Sequence, residues 1–491
     1  MRAGRRPFPS KPPGALGERS RARCRKTALR QRTEPASAGP NVSLSAPLET
    51  GKESCCPVNL PNTQSRRQFL RQTATAAAAA VAAPYVAPGT ALGKDGAVAP
   101  SNRLTVGFLG LGSHGIGRNL QMFLSQPDVE PMALCDVDRR CIDAGLDCVR
   151  QRRGQAFTCP TTQDWREVIA RDDIDAVMIS TPDHWHVPLA LAALRAGKDV
   201  ICEKPTLTIA EGQALIETVR RYGAVFQLST EDRSLPVYHR LAELVRNGRI
   251  GKLERILVTL PTNPPDAGDP TPQPVPPELD WEMWLGPAPW APYRPGVHPF
   301  NWRWITDYSG GILADWGAHL FDTAQWANDT ERSGPVEVEG TGTRHETGLY
   351  DTFYDYHLTY RYANGVEMQV KSGGVALRFE GREGWVGNNG WIGKLEASSQ
   401  AILDSVIGPE ETHLFTCPGG EHRNFLDCVK SRRDPYFPAE IGHRCSSVCH
   451  LGTLAMTLGR KLRWDPVGEQ FLDDDAANRM RSRAMRAPWR L

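Results

Sequence analysis

From Arg103 onward, short apolar runs alternate with amphipathic stretches, the order expected of a parallel, doubly wound sheet. Strands are predicted over 104–109, 129–135, 175–180, 199–202 and 224–228. Helices are predicted from the glycine turn after the first strand to about 124, then over 187–196 and 208–222. Beyond 233 the rhythm changes. A helix over 236–247 and a strand over 253–260 lead into a Pro-rich segment, 261–300, which reads as loop. A helix running to about 327 follows, then strands over 336–343, 353–362, 366–371 and 378–386, with Asn364-Gly365 a strong hairpin signal. Helices around 423–430 and 444–460 are expected to complete this part. The fold class is therefore an α/β Rossmann domain over 101–233 plus an α+β domain over 234–491. The second has a large, mostly antiparallel, open-faced sheet, and that open face needs a cover.

Composition changes the picture chiefly at the N-terminus. Residues 1–64 hold 12 Lys and Arg against 4 acids and show no apolar periodicity, so they read as a disordered leader or a misassigned translation start. Ser65-Arg66-Arg67-Gln68-Phe69-Leu70 and an uncharged, Ala-rich run over 72–93 follow, resembling a twin-arginine signal peptide read by the export machinery for folded proteins. A periplasmic location is expected from this, with no stable membrane span after processing. Residues 94–491 carry 43 bases against 52 acids, and this acidic body argues against nucleic acid as a partner. The nine cysteines after Lys94 lack paired spacing, so no disulfide framework is implied. Cys445, Cys449 and His450, with His443, fall in an apolar helical stretch and read as core, so no metal site is expected.

Gly110-Leu111-Gly112-Ser113-His114-Gly115 sits between the first strand and its helix. Glycines there let the backbone turn sharply and approach a pyrophosphate, whose charge is favoured at a helix N-terminus. Asp136, at the end of the second strand, is placed to accept from ribose hydroxyls and to repel a 2′-phosphate. This favours NAD, with NADP left open by nearby Arg139 and Arg140. Ligands bind at strand C-termini in such sheets, where Thr181-Pro182-Asp183-His184-Trp185-His186 and Glu203-Lys204-Pro205 lie. Asp315 and His319, four apart on a predicted helix, point the same way. Five of the thirteen Trp fall within 281–304. Their indoles suit either sugar rings or the anchoring of an irregular loop, with ligand contact favoured for Trp302 and Trp304.

The glycine turn, Thr181-Pro182 with His186, Glu203-Lys204-Pro205 and the run from Gly310 to His319 together resemble the Gfo/Idh/MocA oxidoreductases, the family of glucose–fructose oxidoreductase and inositol dehydrogenase. The resemblance implies hydride transfer between NAD(P) and a carbohydrate or cyclic polyol hydroxyl. It implies Lys204 and His319 on the proton path, Asp315 orienting His319 or binding a neighbouring hydroxyl, and Glu203 holding Lys204. It also implies His186 near the nicotinamide ribose, Arg303 and Tyr308 at substrate hydroxyls, and a homo-oligomer, dimer or tetramer, built through the open sheet face. Outside the cytoplasm no free nicotinamide pool is expected, so the cofactor should be tightly bound and regenerated within each cycle. Redox-neutral glycoside cleavage is the alternative chemistry, and a silent sugar-binding protein the alternative class.

Overall fold

The computed structural model describes residues 98–262 and 266–491, so the leader, the paired arginines and the Ala-rich run lie outside the described residues. Among the described residues no helix is long and apolar enough to cross a membrane.

The first sheet is six-stranded and wholly parallel: β1 (Leu104–Leu109), β2 (Val129–Cys135), β3 (Thr161–Thr162), β4 (Ala176–Ile179), β5 (Asp199–Glu203) and β6 (Phe226–Ser229), in the order β3-β2-β1-β4-β5-β6. β4 is buried at every position, as helices on both faces require. The order reverses between β1 and β4. The chain therefore leaves these neighbours in opposite directions and opens a crevice at their C-terminal ends. The helix after β1 begins as a π-helical segment, Gly115–Leu120, and turns α-helical over Gln121–Leu124. After β4 the helix starts at Asp183, not 187, with Pro182 as its N-cap, and so takes in His184, Trp185 and His186.

The second sheet has nine strands: β7 (Leu253–Leu260), β8 (Pro335–Thr343), β9 (Asp355–Tyr362), β10 (Glu367–Ser372), β11 (Ala376–Gly381), β12 (Gly384–Asn389), β13 (Leu395–Ala397), β14 (Leu462–Asp465) and β15 (Gln470–Phe471). Its pairs are antiparallel except β7 with β10. The run expected as one strand, 378–386, is two. Phe379 and Val386 are an odd number of residues apart and would face opposite sides of one strand, yet both are core residues. The Arg382-Glu383 turn solves this by pairing Phe379 directly with Val386. The inner face packs on two helices, Gly317–Ala327 and Ala439–Leu458, and the latter buries Cys445, Cys449 and His450. The other face is not apolar. Arg361 pairs with Glu337, Glu339 and Glu367 there, and Arg255 with Glu380.

One helix crosses the expected division. Gly420–Ser431 inserts Phe425, Leu426, Cys428 and Val429 into the apolar cluster of Val106, Phe108 and Phe123 beneath the first sheet. Ion pairs tie it down, with Arg423 and Lys430 on Asp128 and Arg118 on Glu421.

Candidate active site

The glycine turn is fixed by crowding. Gly110 has φ +94°, and a Cβ on it would stand 2.6 Å from the Ser180 backbone. A Cβ on Gly115 would stand 2.5 Å from the Gly110 carbonyl oxygen. Gly112 differs, because a Cβ there would meet nothing within 4 Å. Its open side gives onto a cavity of about 370 Å³ lined by Gly110, Gly112, Ser113, Asp136, Thr181 and Lys204, among others. A smooth backbone cradle facing open space suits a dinucleotide pyrophosphate. The Thr181 hydroxyl, buried with no hydrogen-bond partner among the described residues, is a polar group left for a ligand.

Asp136 lines this cavity and also builds its floor. Oδ2 accepts from the Leu111 amide at 2.6 Å and Oδ1 from the Asp138 amide at 2.9 Å, while burial pushes its pKa up. The two arginines beside it are engaged elsewhere: Arg140 is held by Asp138, and Arg139 by Gln163 at 2.8 Å. The Asp136 carboxylate in the cavity lining favours ribose hydroxyls over a 2′-phosphate, and Arg139, bonded through Nε to the neutral Gln163 amide, is the cation nearest it in sequence without an acidic partner among the described residues. The second half of the chain roofs the same end. Asp138 bridges to Leu279, the Asp280 amide donates to the Val137 carbonyl, and His298 meets Asp138 at 3.1 Å.

At the other end lie Lys204, Asp315, His319, Arg303, Trp302 and Trp316. The predicted helix bends between Asp315 and His319, as Gly311–Asp315 followed by Gly317–Ala327. The bend separates the partners of the two side chains. Asp315 does not orient His319; it accepts from Lys204 Nζ at 2.5 Å and faces Arg303 Nε at 3.8 Å. His319 instead directs Nδ1 to Asp232 Oδ2 at 2.7 Å, with Thr230 Oγ1 at 3.1 Å. Burial opposes charge on all three groups. The carboxylates around Lys204 outweigh it and hold the ammonium above its ordinary value, and Lys204 with Arg303 keeps Asp315 below its own. Asp232 likewise lifts His319 above the usual histidine range.

Other expected roles are also redrawn. Glu203 does not hold Lys204 by a hydrogen bond. Its carboxylate accepts from Asn119 Nδ2 at 3.0 Å and meets His114 Nε2 at 3.0 Å, a contact that raises the histidine's pKa and ties the glycine loop to the end of β5. His186 lines the cavity, but its ring nitrogens contact the Pro205 and Thr181 carbonyls, at 2.9 and 2.8 Å, and so lock the two loops together. Trp302 reaches the cavity, with the Arg303 guanidinium 4.3 Å from its ring centroid. Trp304 and Tyr308 do not line it; both are buried, and Tyr308 packs on Trp284 and His184. Their apolar bulk is spent on the loop's own core, the alternative left open for the Trp cluster.

Sequence reasoning missed Asp232 and Trp391. Asp232 follows β6 in Thr230-Glu231-Asp232-Arg233, where its only signal was a strand C-terminus on a parallel sheet. Trp391, in the β12–β13 turn, packs its ring 5.1 Å from that of His319 and carried no local signal. Asp183, which accepts from Ser309 at 2.7 Å and is pushed up to about 6 by burial, also lines the cavity.

Comparison with known proteins places this geometry. The profile of an oxidoreductase family's NAD-binding Rossmann fold matches residues 104–230, and that of the same family's C-terminal alpha/beta domain matches residues 267–491. A protein named glycosyl hydrolase family 109 protein 1, from Shewanella sp. (strain ANA-3), is 37% identical over 142 residues, 28% of this chain and 31% of its own length. An alpha-N-acetylgalactosaminidase from Shewanella oneidensis is 36% identical over the same span and shares. This chain thus covers about a third of the length of those relatives. Among solved structures, the aldose-aldose oxidoreductase from Caulobacter crescentus superposes with a TM-score of 0.57 at 18% identity, covering 74% of this chain and 99% of that one. The WlbA dehydrogenase from Bordetella pertussis, solved with NADH and UDP-GlcNAcA, gives 0.56 at 13%, covering 74% and 98%. These two likenesses are of fold. With both family profiles matched in order around one cleft, the chain belongs to the Gfo/Idh/MocA family of NAD-binding oxidoreductases.

Proposed function

We propose that this protein oxidises and reduces a secondary or anomeric alcohol of a carbohydrate or cyclic polyol with bound NAD. The observation that carries this reading is a single cavity with the glycine cradle at one end and Lys204, Asp315 and His319 at the other. Bound NAD supplies a carbon that accepts or returns hydride. The chain must handle the proton: as C–H hydride leaves, the hydroxyl proton leaves with it and the carbon becomes a carbonyl. Lys204, kept cationic by Asp315, donates a hydrogen bond to the substrate oxygen and stabilises charge developing on it. His319, with Nδ1 occupied by Asp232, offers Nε2 as the direct base, and returns the proton in the reverse direction. Trp302 and Arg303 present a flat face and a guanidinium to the ring and its hydroxyls.

A second reading keeps these residues and ends in glycoside cleavage without net redox change: transient oxidation, elimination, water addition and re-reduction. Its support is the 36–37% identity to proteins named as glycosidases. Export by the twin-arginine route belongs to both readings, because a protein exported folded carries its nucleotide with it. Subunit pairing through the outer sheet face would then be polar, made through the ion pairs around Arg361.

The deciding experiment is mass spectrometry of nucleotide released from purified protein. It is followed by single turnovers with hexoses, cyclitols and aryl N-acetylgalactosaminides, read at 340 nm and by aglycone release. A lasting change at 340 nm supports net hydride transfer, and aglycone release with no net change supports cleavage. Sugar binding with neither sinks both.

A further inference from the structure

The residues that face substrate leave unexplained a carboxylate buried behind them. Asp232 has no exposed surface, lies in the short 3₁₀ turn Asp232–Ser234 after β6, and lines no part of the cavity. A charge in such a place is costly unless its partners repay the lost hydration. Those partners are the His319 ring, at 2.7 Å through Nδ1, and the Thr230 hydroxyl, which donates to the same Oδ2. Oδ1 is buried with no hydrogen-bond partner among the described residues, so the whole polar investment of this side chain goes to one oxygen, aimed at one histidine.

We propose that Asp232 is the positioning residue of the proton-transfer step, fixing His319 as the Nδ1–H tautomer with Nε2 turned to the substrate hydroxyl. This rests on His319 acting as the base, the reading given above. The physical case is direct. A neutral imidazole carries one proton and puts it on either nitrogen; only with the proton on Nδ1 does Nε2 keep the lone pair that accepts from an alcohol. Asp232 meets the imidazole at Nδ1 alone, so its charge selects that tautomer and restrains ring rotation. Trp391 and Trp316, with ring centroids 5.1 and 6.0 Å from the imidazole, close off other orientations. Asp232 also stabilises the imidazolium formed when the hydroxyl proton arrives. The charges facing His319 from its surroundings are Lys204 at the end of β5, Glu231 and Asp232 after β6, and Asp315 on the preceding helix. Lys204 opposes the imidazolium and the two carboxylates after β6 favour it, so Asp232 offsets the lysine that shares the substrate oxygen.

The test needs no substrate. Full-length protein carrying its nucleotide is labelled with ¹⁵N-histidine, and the His319 signals are assigned by their loss in His319→Gln. In wild type, the ring nitrogens above the titration midpoint should report a proton on Nδ1, and the midpoint should lie above the ordinary histidine value. In Asp232→Asn, which keeps the shape and an acceptor oxygen, the midpoint should fall by about one pH unit or more. Wild-type His319 protonated on Nε2, or a folded Asp232→Asn with an unmoved midpoint, overturns the proposal. If the variant does not fold, the wild-type tautomer still decides. Turnover is measured separately on the same samples. A wild type that binds nucleotide and turns over no sugar or polyol removes the proposed function, whereas a wrong tautomer in an active enzyme removes only the role of Asp232.

Discussion

The two ends of the cavity are built by opposite means. At the glycine-turn end the cradle itself is backbone, with Asp136 and Thr181 beside it, and Gly110, Gly112 and Gly115 act by having no Cβ. At the end proposed to handle the proton the groups that face the cavity are side chains. Lys204 comes from the end of β5, Asp232 from the loop after β6, Asp315 and His319 from two helices past residue 310, and Arg303 from the loop before them. A backbone site needs only a local turn, whereas a side-chain site needs remote elements to converge within a few tenths of an ångström. The first should therefore fail by steric filling with the chemistry untouched. The second should fail in rate with the nucleotide still bound.

The sharpest break in that contrast is Lys204→Met, which should lower single-turnover hydride transfer by about 10²–10⁴-fold while released nucleotide stays at the wild-type level. Coincident loss of nucleotide would join the two ends into one site. Gly112→Val comes next. Since its Cβ points into open space, melting temperature should hold while nucleotide content drops at least roughly tenfold, the effect of a side chain standing where the pyrophosphate must approach. Gly115→Ala should do the reverse in order of severity, costing about 1–3 kcal/mol of stability by denaturant titration because its Cβ meets a carbonyl oxygen at 2.5 Å. Smallest is the tie beneath the sheet. Asp128 is buried, but Arg423 and Lys430 hold its carboxyl down at about 2. A depressed carboxylate contributes above its unfolded value and loses that contribution as pH falls through the folded one. Asp128→Asn should therefore cost about 1 kcal/mol at neutral pH, a difference that fades between roughly pH 4 and pH 2.

The same division explains what the sequence disclosed. β1, β2 and β7 run between the residues their apolar patterns predict, and the glycine turn and Asn364-Gly365 hairpin fall where local chemistry requires them. Lys204, Asp315 and His319 were legible as residues but not as partners. The resemblance gave Asp315 to His319 or to a neighbouring hydroxyl, and the bend at Trp316 gives it to Lys204 instead. Asp232 was illegible for the same reason: its meaning lies in a ring 87 positions away. Trp304 and Tyr308 show the converse. An aromatic beside an active-site segment looks alike in sequence whether it faces the cavity or the core.

The helix Gly420–Ser431 sets a timetable for the molecule. Phe425, Leu426 and Val429 are part of the apolar floor of a sheet whose last strand, β6, ends at Ser229. On the ribosome, that floor stays unfinished while some 200 further residues are made, about 10–40 s at ordinary rates of elongation. During that interval the nascent first half holds its glycine turn over an incomplete base, and a chain truncated before residue 420 never completes it. Synthesis through Ser431 thus becomes a condition for completing the floor beneath the glycine turn.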